Sequence, residues 1–308
     1  MGARRLLFAS DFSESSQEAV GEVAALAQHL GSEVIVTNVQ STQWRVWFSS
    51  RLDNRHRAER LELLAERFRA RGVPARPEFA AEGDVARTLV GVAEFEDVDL
   101  IAIGATQRPS WPLRRSTAEL LVRYARRPVW VSKPRARSAG PTHLLCGVDG
   151  SAASREALLL ANDLVRRLRG RLSVVHAVGN PTFNPLGMAE AEVNEHAGAH
   201  RAEVERAITQ FVRDARVDVE PRFLWGEPAQ VLCAFAEEEG ADAIVIGRTG
   251  KGALQHVLLG STANQLLRDP CCSLLLLGEG QDPLFQARDL REPATHRAQP
   301  GASPEPLR

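Results

Sequence analysis

The chain contains one unit twice. "FASDFSESSQEAV" at 8–20 lines up with "CGVDGSAASREAL" at 146–158, so that Asp11 faces Asp149, Ser13 faces Ser151 and Ser16 faces Ser154. "VDLIAIGAT" (98–106) matches "ADAIVIGRT" (241–249), and "STAELLVR" (116–123) matches "STANQLLR" (261–268). Three matches in the same order mark a duplicated domain rather than scattered likeness. A length of 308 residues accommodates two domains, each able to bury a core without disulfides or metal. "PRARSAGP" (134–141), rich in Pro, Gly and Arg, is the expected linker. The expected domains therefore cover 1–134 and 141–278. The tail, 279–308, has many Pro, Arg, Glu and Gln and no periodic apolar face. It is expected to be disordered, with "PLFQARDL" as its one candidate docking segment.

Within the second copy, strand-like and helix-like stretches alternate. "HLLCGVD" is an apolar run closed by Asp149, and "SREALLLANDLVRRLRG" has apolar residues at helical spacing with Gly170 as its expected stop. "RLSVVHAV" is the next strand, a long helix is expected over about 187–214, and "VDVEPRFLW" is a third strand. "PAQVLCAFAEEEG" reads as a helix, "ADAIVIG" as the fourth strand, and a helix starts near Gly260-Ser261 before the closing strand "CSLLLL". Near-continuous apolar strands alternating with amphipathic helices predict an α/β fold: in each half an open parallel sheet with helices on both faces. Such sheets bind ligands beyond the carboxyl ends of their strands.

Composition excludes several functions. The formal net charge is −1, with 44% hydrophobic and 25% charged residues, which argues against a nucleic-acid partner. No apolar run approaches the roughly 18 residues needed to span a bilayer. "MGARRLLFASDF" lacks a signal-peptide core and runs straight into a strand, so a cytoplasmic protein is expected. The four cysteines, Cys146, Cys233, Cys271 and Cys272, form no C-x-x-C pair and read as free thiols in a reducing compartment.

The stretch "GRTGKGALQHVLLGST" (247–262) follows the fourth strand of the second copy. Gly247, Gly250 and Gly252 suit a tight turn with positive φ, whose exposed amides make an anion-binding concavity. Gly260 and Ser261 then open a helix, where unpaired N–H groups and the positive dipole end favour an anion. With Lys251 and Arg248 beside it, the loop suits a polyphosphate. It is not a Walker A loop, since Gly252 stands where Ser or Thr is needed, and it follows the wrong strand for a dinucleotide fingerprint.

The spacing Gly247-x2-Gly250-x9-Gly260-Ser261 resembles the ATP-binding signature of the universal stress proteins. The likeness covers about 4–133 and 142–278. It implies a sheet ordered 3-2-1-4-5 in each half, with an adenine nucleotide across the ends of strands one, two and four. Asp149 then matches the family's aspartate near the adenosine, and Ala177 the small apolar position ending strand two, or Val178 one register away. Gly247, Gly250, Gly260 and Ser261 match phosphate and ribose contacts, and Thr262 adds a hydroxyl at the helix start. The implied ligand is ATP, with or without Mg, or another adenine nucleotide. The family's pairing through final strands implies either packing of the two halves on each other or a homodimer.

The first copy departs from this pattern. Gly104 is followed by "ATQRPSWPLRRST", where Gln107 and Arg115 replace the second and third glycines and two prolines intrude. Arg108, Arg114 and Arg115 are expected to form a solvated basic loop, with attraction of an anion as the alternative, and Asp11 is expected to survive as a helix cap. The first half is therefore expected to be structural or partner-binding. His196 and His200 lie one helical turn apart but lack the H-E-x-x-H glutamate, and His176 is expected beside the nucleotide edge. No metal ligand and no catalytic set is identified. The expected function is an ATP-binding stress-response regulator with an unidentified protein partner. The competing readings are a slow ATPase or self-phosphorylating protein using Ser261 or Thr262, and a scaffold without nucleotide.

Overall fold

The repeat is carried into structure element for element. The computed structural model describes residues 5–40, 50–80, 83–105, 116–133, 141–178, 190–250 and 259–278, with the backbone alone at 50–54 and 190–200. The first half runs β1 (Arg5–Ala9), α1 (Glu14–Leu30), β2 (Glu33–Asn38), α2 (Ser50–Arg69), β3 (Ala75–Phe79), α3 (Val85–Phe95), β4 (Leu100–Gly104), α4 (Thr117–Tyr124), β5 (Val129–Ser132). The second runs β6 (His143–Gly147), α5 (Ala152–Leu168), β7 (Arg171–Val178), α6 (Glu190–Asp214), β8 (Arg222–Trp225), α7 (Pro228–Glu238), β9 (Ala243–Gly247), α8 (Ser261–Arg268), β10 (Ser273–Leu277). The linker and tail segments, 134–140 and 279–308, lie outside the described residues. No described helix is long and apolar enough to cross a membrane.

The two expected five-stranded sheets are halves of one ten-stranded sheet, ordered β3-β2-β1-β4-β5-β10-β9-β6-β7-β8. Pairing is parallel inside each half and antiparallel only where β5 meets β10. Trp130 lies opposite Leu275, its own counterpart in the repeat, so a local twofold passes between them. The edges of both final strands are thereby used within one chain. Alternating strand residues split the core into two layers. Leu6, Phe8, Leu144 and Cys146 meet α1, α2, α5 and α6, while Leu7, Leu145 and Ile244 meet α3, α4, α7 and α8.

The seam also buries a carboxyl group. Glu22 of α1 accepts from Trp130 Nε1 at 3.3 Å, from Ser132 Oγ, and from Ser273 Oγ at 2.8 Å. Burial raises its pKa from the ordinary carboxyl value, although the three donors pull the other way.

One local expectation changes. α5 ends on Arg169 in the left-handed conformation (φ 50°), not on Gly170. A side chain at Gly170 would collide with the Thr142 carbonyl, which accepts the Arg171 N–H at 2.7 Å. Gly170 serves close approach of two chains, and a non-glycine residue takes the helix cap.

Candidate functional site

The carboxyl ends of β6, β7 and β9 and the start of α8 enclose a cavity of about 640 Å³. Asp149, Ala177, Gly247, Gly250, Gly260, Ser261 and Thr262 all line it. Val178 does not; it is buried in the sheet. The apolar wall comes from Val148, Val175, Pro228, Leu232 and Ile246. Pro228 and Leu232 belong to α7 and carry no motif; only their place on the inner face of an amphipathic helix could have marked them.

The glycines do different work. None of the loop's described glycines has positive φ, so at Gly247 and Gly250 close approach takes the place of the expected left-handed conformation. A Cβ at Gly247 would stand 2.8 Å from Ala153 Cβ and 2.9 Å from its carbonyl carbon. Gly104 meets the same constraint, with Ser16 Cα at 2.8 Å. The strand-to-helix packing thus explains why this glycine persists in the half that lacks the others. A Cβ at Gly250 would stand 2.6 Å from Asp149 Oδ2, inside the cavity. Lys251 and Gly252 lie outside the described residues.

Asp149 is not a helix cap. Ser151 caps α5, its Oγ accepting the Ser154 N–H at 3.1 Å, and the Ser151 N–H donates to Asp149 Oδ1 at 2.9 Å. Asp11 repeats this two residues before the cap: Ser13 caps α1, and its N–H donates to Asp11 Oδ1 at 2.9 Å. The expectation that Asp11 caps the helix is corrected accordingly; it orients the cap. His176 does stand on the cavity wall. Its Nδ1 lies 2.7 Å from the Val148 carbonyl, which only accepts, so Nδ1 bears the proton. Its ring packs edge-on against Phe223 at 6.1 Å.

The start of α8 differs from its counterpart in the first half. α4 is closed by a full capping box: Ser116 Oγ accepts the Glu119 N–H, and Glu119 accepts the Ser116 N–H. α8 begins one position earlier in the repeat, on Gly260, and among the described residues no side chain caps it. Its first-turn N–H groups therefore keep their positive end for another acceptor. The corresponding cleft in the first half, between Ser10, Asn38 and Thr117, measures about 80 Å³. Arg108, Arg114 and Arg115 lie outside the described residues, as do the side chains of His196 and His200.

The universal stress protein family model matches residues 2–133 and 141–278. The chain belongs to the universal stress protein family. It carries two copies of the family's domain. A universal stress protein of Methanocaldococcus jannaschii is 29% identical over 132 residues, 42% of this chain and 77% of that protein. A putative universal stress protein of Staphylococcus haemolyticus is 25% identical over 143 residues, 46% of this chain and 87% of that one. The solved structure of a universal stress protein from Archaeoglobus fulgidus aligns with 90% of this chain and 98% of its own, at 20% identity and a TM-score of 0.65. That last likeness is one of fold, and it extends over both halves of this universal stress protein.

Arg248 does not stand with the cavity residues. Its guanidinium, expected near a phosphate, turns out of the second half and donates to carbonyls of α4.

Proposed function

We propose that the second half binds ATP, or another adenine nucleotide, and that occupancy of this site sets the conformation or partner choice of a cytoplasmic stress-response regulator. The observation that carries the reading is convergence: seven residues spread over 149–262 meet on one cavity, beneath a helix start that no described side chain caps. A volume of about 640 Å³ falls in the range of roughly 300–1,000 Å³ typical of small-molecule sites. In this reading the base and ribose lie against Ala177, the apolar wall and Asp149. The phosphates lie over the first turn of α8, which keeps them from the Asp149 carboxylate beside Gly250 that would repel them. Ser261 and Thr262 supply hydroxyls there.

The first half takes the opposite part. Its equivalent helix satisfies its own first turn through Ser116 and Glu119, and its cleft is about one-eighth the size, at about 80 Å³ against about 640 Å³. It is assigned a structural role, without nucleotide.

The test is to release small molecules from the purified protein and chromatograph them, then titrate the stripped protein with ATP. One adenine nucleotide per chain is expected. Absence of released nucleotide together with a flat titration overturns the reading.

A further inference from the structure

The glycine loop of the second half is anchored in the first. Arg248 makes two backbone bonds at the end of β9. Its N–H donates to the Leu277 carbonyl at 2.7 Å, and its own carbonyl accepts the Gly260 N–H at 2.7 Å. The second bond closes the loop and sets where Gly260 and Ser261 stand relative to the strand ends. The side chain then crosses the seam. Nη1 donates to the Ala125 carbonyl at 3.1 Å and the Val122 carbonyl at 3.3 Å.

Those acceptors end α4. The last carbonyls of a helix have no partner inside it, and a cation there also meets the negative end of the helix dipole. The guanidinium is half-buried, and that burial lowers its pKa. It passes so close to Gly278 that any side chain at that position would collide with Nε. Space has thus been left for this arm in the strand end beside it.

The contact runs one way. In the repeat, Arg248 corresponds to Ala105, whose N–H makes the same strand-end bond, to the Ser132 carbonyl at 2.8 Å. Its methyl has no donor to offer α8. The backbone of the two loops is alike at this point, and of these two residues Arg248 is the one that reaches the other half.

We propose that Arg248 is a positioning residue for the second-half nucleotide site, fixing the glycine loop and the start of α8 by anchoring them to the last turn of α4. This rests on the nucleotide reading above. The half that lacks the binding glycines thereby supplies part of the site's support. Because coupling between two places is reciprocal, nucleotide in the cavity also steadies the last turn of α4.

The experiment uses the full chain: wild type, Arg248→Met, Arg248→Lys and Arg268→Ala, each titrated with ATP by calorimetry. Arg268 also crosses the seam, but it is largely exposed and donates to Glu119 in the first turn of α4, at 3.4 Å, rather than to that helix's last turn. Arg248→Met is expected to weaken ATP about tenfold, within the usual range of coupling between sites, and Arg248→Lys, which retains a donor, by no more than about threefold. Arg268→Ala is expected to bind as wild type does. Hydrogen exchange over 121–126 is expected to slow on adding ATP to wild type.

Wild-type affinity in Arg248→Met overturns the proposal. So does equal loss in the Met and Lys variants, which would make shape rather than donation the cause. Equal loss in Arg268→Ala would point to general loosening of the seam, and unchanged exchange over 121–126 in ATP-bound wild type would show no coupling. Wild type that binds no ATP at all instead removes the nucleotide reading, and this inference with it.

Discussion

Gly247 and Gly250 stand three positions apart in one loop, and the same added methyl group is expected to act in opposite ways at the two. At Gly247 a Cβ lies 2.8 Å from Ala153 Cβ and 2.9 Å from its carbonyl carbon. These atoms belong to the first turn of α5, so relief requires moving a helix away from β9. Overpacking of this kind costs roughly 1–3 kcal/mol, offset by about 0.4–1 kcal/mol from the stiffer unfolded chain. A net loss of about 1–2 kcal/mol should lower the melting temperature by roughly 2–8 °C. At Gly250 the close atom is Asp149 Oδ2 at 2.6 Å, the end of a side chain that can swing aside. Stability should therefore move by no more than about 0.5 kcal/mol. The swing displaces from the cavity the carboxylate that would meet the adenosine, and leaves a methyl in its place. Losing one hydrogen bond to a charged group is worth roughly 1.5–3 kcal/mol, or about 10- to 150-fold in affinity. Thermal unfolding by circular dichroism and ATP calorimetry on both alanine variants separate the two effects. A Gly250→Ala protein that binds ATP as tightly as wild type, or a Gly247→Ala protein that melts with it, refutes this reasoning.

Three further outcomes are expected. Calorimetry on the full chain should give one ATP per chain; two equal sites would restore a nucleotide role to the first half. Asp149→Ala should weaken ATP and ADP by similar factors, whereas Ser261→Ala should weaken ATP more; a lower melting temperature with unchanged affinity in Asp149→Ala would reduce the aspartate to a brace for Ser151. Glu22 has a folded-state pKa raised above the ordinary value of about 4.5, so the folded chain keeps its proton over a window in which the unfolded chain has lost it. Its contribution to stability is present below the unfolded value and declines as pH rises through the folded one. The melting temperature of wild type should therefore fall relative to Glu22→Gln as pH is raised from 4 upward, and a difference independent of pH would contradict the burial argument.

Much of the fold is legible locally. Strands such as "AIVIG" and helices such as "SREALLLANDLVRRL" declare themselves by apolar periodicity, and the repeat repeats their order. The candidate site was equally legible where it rests on short-range motifs: Asp149 after a strand, and Gly260-Ser261 before a helix. Cap detail was less so. Ser13 and Ser151, not the neighbouring aspartates, close the helices, because both residue types can cap and only the backbone angles choose between them.

What the sequence by itself determined is therefore the pair of α/β units, the asymmetry of their two loops and the chemistry gathered at the second. Tertiary structure alone decided how the units join and which way the shared residues face. β5 pairs with β10 across roughly 140 positions, Glu22 finds Ser273 over 251 positions, and Arg248 turns from the cavity to Ala125, 123 positions away. Periodicity encodes which face of an element is apolar, but not which distant element will cover it. A basic residue beside a glycine loop looks the same in sequence whether its charge meets a phosphate or the carbonyl end of another helix. Only the packed seam, which brings the end of α4 within hydrogen-bonding distance, distinguishes the two.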